Sequence, residues 1–105
     1  MRMTHAVVQV ALALSDDAVG RHWGYDLSKR ARVRSGVLYP ILQRMLDAGW
    51  LEDGWEDRSE VDGKRPSRRY YRLTDEGRQA IGGLLEQASE DVRFTPLYQW
   101  AGGSR

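Results

Sequence analysis

Ten consecutive residues, GKRPSRRYYR at 63–72, carry five cations (Lys64, Arg65, Arg68, Arg69 and Arg72) and no acid. Guanidinium and ammonium groups at this density can neutralise a run of phosphates. The preceding stretch, 52–62, is the reverse: Glu52, Asp53, Glu56, Asp57, Glu60 and Asp62 stand against Arg58 alone. Two chemistries are therefore open. The cations can reach outward to nucleic acid, on phosphates or in a minor groove, or they can pair with the acids across a hairpin. Lys64 and Arg65, at the tip of such a hairpin, suit outward reach, with Arg68 beside them. Arg69 and Arg72 fall inside a strand-like run and read as pairing partners.

Other chemistries lack their residues. The chain has no cysteine, and its two histidines, His5 and His22, have no carboxylate at ligand spacing, so neither a metal site nor a cofactor is expected. No nucleophile–base pairing, Gly-rich phosphate loop or paired-carboxylate pattern is visible, so no residue is assigned to catalysis and the protein is not expected to be an enzyme. At 105 residues the chain makes one domain with one core. Hydrophobic content of 41%, charged content of 30% and a net charge of +1 describe an ordinary soluble protein. With no apolar run of membrane-spanning length and no signal segment, a cytoplasmic protein without a membrane partner is expected.

Just before the charge runs stands SGVLYPILQRMLDAGWL at 35–51. Val37, Leu38, Ile41, Leu42, Met45 and Leu46 recur at helical steps and mark one buried side. Ser35, Gly36, Tyr39, Pro40, Gln43, Arg44 and Asp47 share the other. Ser35 reads as the N-cap and Gly49 as the stop. Pro40 lacks the N–H that would bond the Gly36 carbonyl, so only the first turn is disturbed. An amphipathic core helix with a tolerated kink would account for this segment taken alone.

Its neighbours favour more. Residues 4–14 form a first helix with Ala6, Val7, Val10, Ala11 and Leu14 buried, and a turn-rich connector (15–24) follows. A short second helix, 25–31, offers Tyr25, Leu27 and Ala31 to the core, and a tight turn from Arg32 to Ser35 leads into the third. Residues 51–57 and 68–73 alternate like strands and close a hairpin, into which Trp50 and Trp55 pack. Thr74 caps a fourth helix running to about Arg93, with Asp75 and Glu76 at its dipole-favoured end. A short turn opens at Thr95-Pro96. Gly82-Gly83 inside the fourth helix costs roughly 1 kcal/mol per residue relative to alanine, which a close crossing with another helix would explain.

Two short helices joined by a tight turn and followed by a basic hairpin predict an α+β, mainly α fold. It is a winged helix-turn-helix with a two-stranded β wing and a C-terminal dimerisation helix, divided as 1–74 and 75–105. In that fold the third helix enters the DNA major groove by its N-terminal end. Arg32, Arg34, Ser35, Gly36, Tyr39 and Gln43 are then the expected contacts of the helix, and Lys64, Arg65 and Arg68 those of the wing. Gln43 suits adenine edges. A domain this small leaves the last helix's stripe of Ile81, Leu84, Leu85, Ala88 and Val92 short of cover, so a homodimer is expected, with Val7, Val10 and Leu14 contributing. Tyr98 and Trp100 are assigned to dimer packing.

The run GVLYPILQRMLDAGWL at 36–51 resembles the G-T-L-Y-P-x-L-x-R-L-x-x-x-G-L-I signature of the PadR-like transcriptional regulators. GKRPSRRYYRLTDEGRQAI at 63–81 is similar to that family's wing and strand, and Trp23-Gly24-Tyr25-Asp26-Leu27 stands where the family has H-G-Y-E-L. The resemblance implies a dimeric repressor that binds double-stranded DNA and responds to a small aromatic or hydrophobic effector at residues it does not specify. It also implies Ser35, Gly36 and Tyr39 as DNA contacts of the helix, with Lys64 and Arg65 at the wing. The chain departs from the pattern in a shorter stretch between Tyr25 and Leu38, in Val37 where the family has Thr, and in a brief C-terminal part. A second class of function remains beside this one: a winged-helix module that binds other proteins through its acidic 52–62 segment.

Overall fold

Thr4 opens the first helix, α1 (His5–Ser15), its hydroxyl accepting a hydrogen bond from the Val7 amide at 3.2 Å. The helix buries Val7, Val8, Val10, Ala11, Ala13 and Leu14, which together cover most of its circumference. A helix that is apolar nearly all round has to lie inside the molecule. The other elements pack about it. The computed structural model describes residues 1–101, with side chains described as far as Tyr98.

The connector after α1 contains a strand, β1 (His22–Trp23), that the composition of the segment does not announce. The buried His22 is fixed from both ring nitrogens: Nε2 donates to the Asp17 carbonyl at 2.8 Å, and Nδ1 accepts from the Arg30 guanidinium at 2.9 Å. The second helix, α2 (Gly24–Ala31), ends where Arg32 adopts a left-handed conformation (φ 60°), and the third, α3 (Ser35–Asp47), starts three residues later. Strand β2 (Leu51–Trp55) and strand β3 (Arg69–Leu73) frame the wing, whose loop holds a 3-10 turn at Arg58–Glu60. The sheet runs β1-β3-β2, all antiparallel, with His22 opposite Tyr71, Leu51 opposite Leu73 and Trp55 opposite Arg69. The two-stranded wing of β2 and β3 is thus extended to a three-stranded sheet. The third is a two-residue strand, too short to show a period of alternation.

Thr74 joins sheet to helix: its hydroxyl donates to the Gly49 carbonyl at 2.6 Å and accepts from the Gly77 amide at 2.9 Å. It caps α4 (Asp75–Ser89). Gly77 is pressed against the chain before β2, where a Cβ would lie 1.8 Å from the Trp50 carbonyl oxygen, so no larger residue fits without moving backbone. Helix α4 ends at Ser89, earlier than Arg93. Asp91 accepts the Arg93 amide at 2.9 Å and starts a 3-10 turn, Val92–Phe94, which drives Phe94 into the core, edge-on to His5 with ring centroids 5.0 Å apart. The last described helix is α5 (Thr95–Ala101).

Burial changes several expectations. Val7, Val10, Leu14, Ile81, Leu84 and Ala88, expected to await a second copy, already lie in the chain's own core, because α1 accepts the inner face of α4 as well as the helix-turn-helix. Of the expected interface only Leu85, partly buried, and the exposed Val92 reach the surface. Tyr25, Val37 and Trp55 are exposed rather than packed. Arg34, not Ser35, occupies the N-cap of α3, without a side-chain cap bond. Among the described residues nothing lies within 4 Å of a Cβ built on Gly82 or Gly83, so no helix of the same chain crosses there. Tyr98 donates to the Leu85 carbonyl at 2.5 Å, inside the chain, and the side chain of Trp100 lies outside the described residues.

Candidate nucleic-acid interface

Helix α3 is anchored by Leu38, Ile41, Leu42 and Met45, all buried. Turning those four inward turns Arg34, Ser35, Gly36, Val37, Tyr39, Pro40 and Gln43 outward, and every one of them is exposed. Among the described residues Arg34 has no ion pair, and neither Ser35 nor Tyr39 has a side-chain hydrogen bond. This end of the helix also presents unpaired backbone N–H groups and the positive end of its dipole, which favour an anion. Tyr39 is steadied by shape alone. Its hydroxyl rests over Gly24, where a Cβ would come within 2.1 Å. Gln43 is less free, donating to Asp47 Oδ1 at 2.9 Å, and Arg32 is engaged within the chain.

The wing is organised differently. Arg69 bonds Asp53, with Nε 2.8 Å from Oδ2, and Arg72 bonds Glu52 through Nε at 2.9 Å and Nη2 at 2.7 Å, as the strand alternation predicts. Arg72 stands directly opposite Glu52, whereas Arg69, opposite Trp55, reaches Asp53 along the diagonal. Arg65 departs from expectation. It donates to both oxygens of Glu56, at 3.0 and 3.4 Å, instead of standing free at the tip. Arg68 gives the same carboxylate its backbone N–H at 2.9 Å, and its guanidinium lies 3.7 Å away. The Arg65 hydrogen bond, then the Arg68 amide, hold the Glu56 carboxyl below the usual carboxylate range. Glu60 is lowered likewise, first by the Asp57 amide at 2.8 Å and then by Arg21 at 3.0 Å. Of the wing-loop cations, Lys64 and Arg58 are exposed with no ion pair among the described residues, Arg58 donating only to the Arg65 carbonyl.

Glu52, Asp53, Glu56 and Glu60 are thus matched to arginines, and Asp57 caps the 3-10 turn. Most of the acidic 52–62 segment is therefore engaged within the chain, and Asp62 is exposed with no ion pair among the described residues. Between wing and helix lies a cavity of about 290 Å³ lined by Trp23, Tyr25, Tyr39, Arg68, Arg69 and Tyr71. Trp23 and Tyr25 were not among the expected contacts. Their signal was the WGYD run at the start of α2, where two aromatic residues flank the glycine that admits Tyr39. The Trp23 indole nitrogen is buried with no partner among the described residues. No group of three or more potential metal ligands occurs among the described residues, and no helix there is long and apolar enough to cross a membrane.

A helix-turn-helix whose third helix starts with bare backbone donors, followed by a basic β-hairpin wing, has the architecture of DNA-binding winged helices. Residues 19–82, more than half the chain, match the sequence model of the transcriptional regulator PadR-like family. The chain belongs to that family. PadR-like proteins are DNA-binding transcription regulators, not enzymes, and this chain shares their architecture. A Streptococcus mutans protein superposes with a TM-score of 0.67 at 25% identity, over 95% of this chain and 92% of its own. A PadR-like transcriptional regulator from Bacillus cereus gives 0.63 at 25% identity, over 89% and 91%. PadR of Bacillus subtilis, solved in complex with operator DNA, shares the fold with a TM-score of 0.58 at 22% identity, over 74% of this chain and 45% of that one. Among curated proteins none matches the chain significantly.

Proposed function

We propose that this PadR-like protein is a cytoplasmic repressor that binds an inverted-repeat operator as a homodimer. The observation that carries the reading is the N-terminal end of α3, where Arg34, Ser35, Gly36 and Tyr39 are all exposed on one patch. These residues enter the major groove, with Tyr39 and Ser35 toward base edges and Arg34 on phosphate. Lys64 and the outer side of Arg68 contact the flanking backbone from the wing. The fold shared with a PadR solved on operator DNA supports the same docking. Dimerisation uses what the core leaves outside: the open Gly82-Gly83 face of α4 with Leu85, and Val92 beyond it. Small residues let a second helix approach closely there. A two-fold pair places the reading helices about 34 Å apart, or a multiple, which requires an inverted repeat.

Selection of bound sequences from a randomised duplex library tests this directly, with sedimentation of the free protein alongside. An inverted repeat and a dimer are expected. A single unrepeated half-site bound by a monomer would overturn the operator and dimer assignments together. A small hydrophobic effector has a place in the same scheme, since a compound filling the cavity between Tyr39 and the wing would compete with DNA for Tyr39.

A further inference from the structure

Glu56 sits at the neck of the wing, where β2 gives way to the loop. Its side chain is 7% exposed, against 36% for Arg65 and 54% for Arg68. The carboxylate faces inward and both cations face solvent. A planar guanidinium offers a carboxylate and a phosphate the same forked set of donors, so the two anions compete for one Arg65. Glu56 occupies that fork now, through the bonds at 3.0 and 3.4 Å. The loop also has little freedom to swing Arg65 away. Arg58 donates to the Arg65 carbonyl at 3.0 Å, and Arg21, stacked over Tyr70 at 4.4 Å, ties Glu60 to the sheet. Moving Arg65 to a phosphate would leave the Glu56 carboxylate without the partner that offsets its burial, which is strongly unfavourable.

We propose that Glu56 holds Arg65, and in part Arg68, off DNA phosphate and thereby limits the protein's sequence-independent affinity for duplex DNA. The wing then contributes a positioned Lys64 and half of Arg68, not a free basic cluster. Discrimination is left to α3. A basic loop without this internal acid would bind any DNA and blur the difference between operator and bulk sequence. This rests only on DNA binding, and not on the dimer or the inverted repeat.

The test is the salt dependence of binding to a labelled duplex of mixed sequence, measured on the full chain. Glu56→Gln keeps an acceptor for the Arg68 amide but removes the charge. It should raise affinity severalfold at low salt and steepen the log–log slope by about 0.9 for each arginine released. Arg65→Gln in the wild-type background should leave the slope unchanged. Arg65→Gln added to Glu56→Gln should take back about 0.9 of the gain. If Arg65→Gln alone flattens the slope by that amount, Arg65 already contacts phosphate and the proposal falls. It falls equally if the Glu56→Gln gain is absent, or survives intact without Arg65, since the latter marks a through-space charge effect. Should Glu56→Gln prove unfolded by melting, Glu56→Asp, which keeps the charge but shortens its reach, must steepen the slope in its place.

Discussion

The N-terminal end of α3 and the wing are both cationic, and they handle charge in opposite ways. On α3, Arg34 and the helix dipole stand with no counterion among the described residues. On the wing, Arg65, Arg68, Arg69 and Arg72 each lie against a carboxylate of the same hairpin. A charge without a partner is available to DNA at no internal loss, whereas a paired one must first leave its acid. Counting basic residues therefore overstates the unpaired charge of the wing.

The largest effect that would separate the two surfaces is expected from Tyr39→Ala. It should lower affinity for the selected operator by about 1–3 kcal/mol while changing mixed-sequence binding little. A melting temperature near that of the wild type would confirm an intact fold, and equal losses on both DNAs would erase the distinction between reader and backbone contact. Lys64→Ala should weaken binding to all sequences alike and flatten the salt slope by about 0.9. A loss confined to the operator would instead make the wing a reader. Gln43→Ala should change operator affinity by about twofold at most, because Gln43 is committed to Asp47 on the helix surface. A larger loss in a titration of that variant would extend the reading face one more turn.

The smallest expected effect concerns acid. The Glu56 carboxyl is lowered in the folded protein by Arg65 and the Arg68 amide, from an ordinary value of 4.5. Its stabilisation is therefore fully present above that value and lost as pH falls through the lowered one. The wild type's melting advantage over Glu56→Gln should hold at neutral pH and shrink toward zero in acid. A gap that does not change with pH would mean that the ion pair adds nothing to the wing's stability.

Local rules made the pairs on β3 legible. Arg72 lies opposite Glu52 in the ladder and Arg69 lies diagonal to Asp53, so the register of the two strands brings each cation within reach of its acid. The exposed face of α3 was legible for a similar reason. Once Leu38, Ile41, Leu42 and Met45 are turned inward, the 3.6-residue period leaves Tyr39 outside. Tyr25 and Trp55 were misassigned because apolar character does not say which side of a short element meets the core.

The sequence by itself determined the helices, the winged architecture and the patch on α3, since all of these follow from periodicity, caps and spacing along the chain. Only the tertiary structure decided which charges and which apolar residues were already spoken for. Arg65 reaches Glu56 through a loop shaped by the 3-10 turn at Arg58–Glu60, and no periodic rule describes such a closure. The inner residues of α4 have the spacing of an interface, yet α1, far away in the chain and apolar on most of its surface, covers them. Pattern shows that a face must be buried, and which partner buries it depends on contacts between residues distant in sequence.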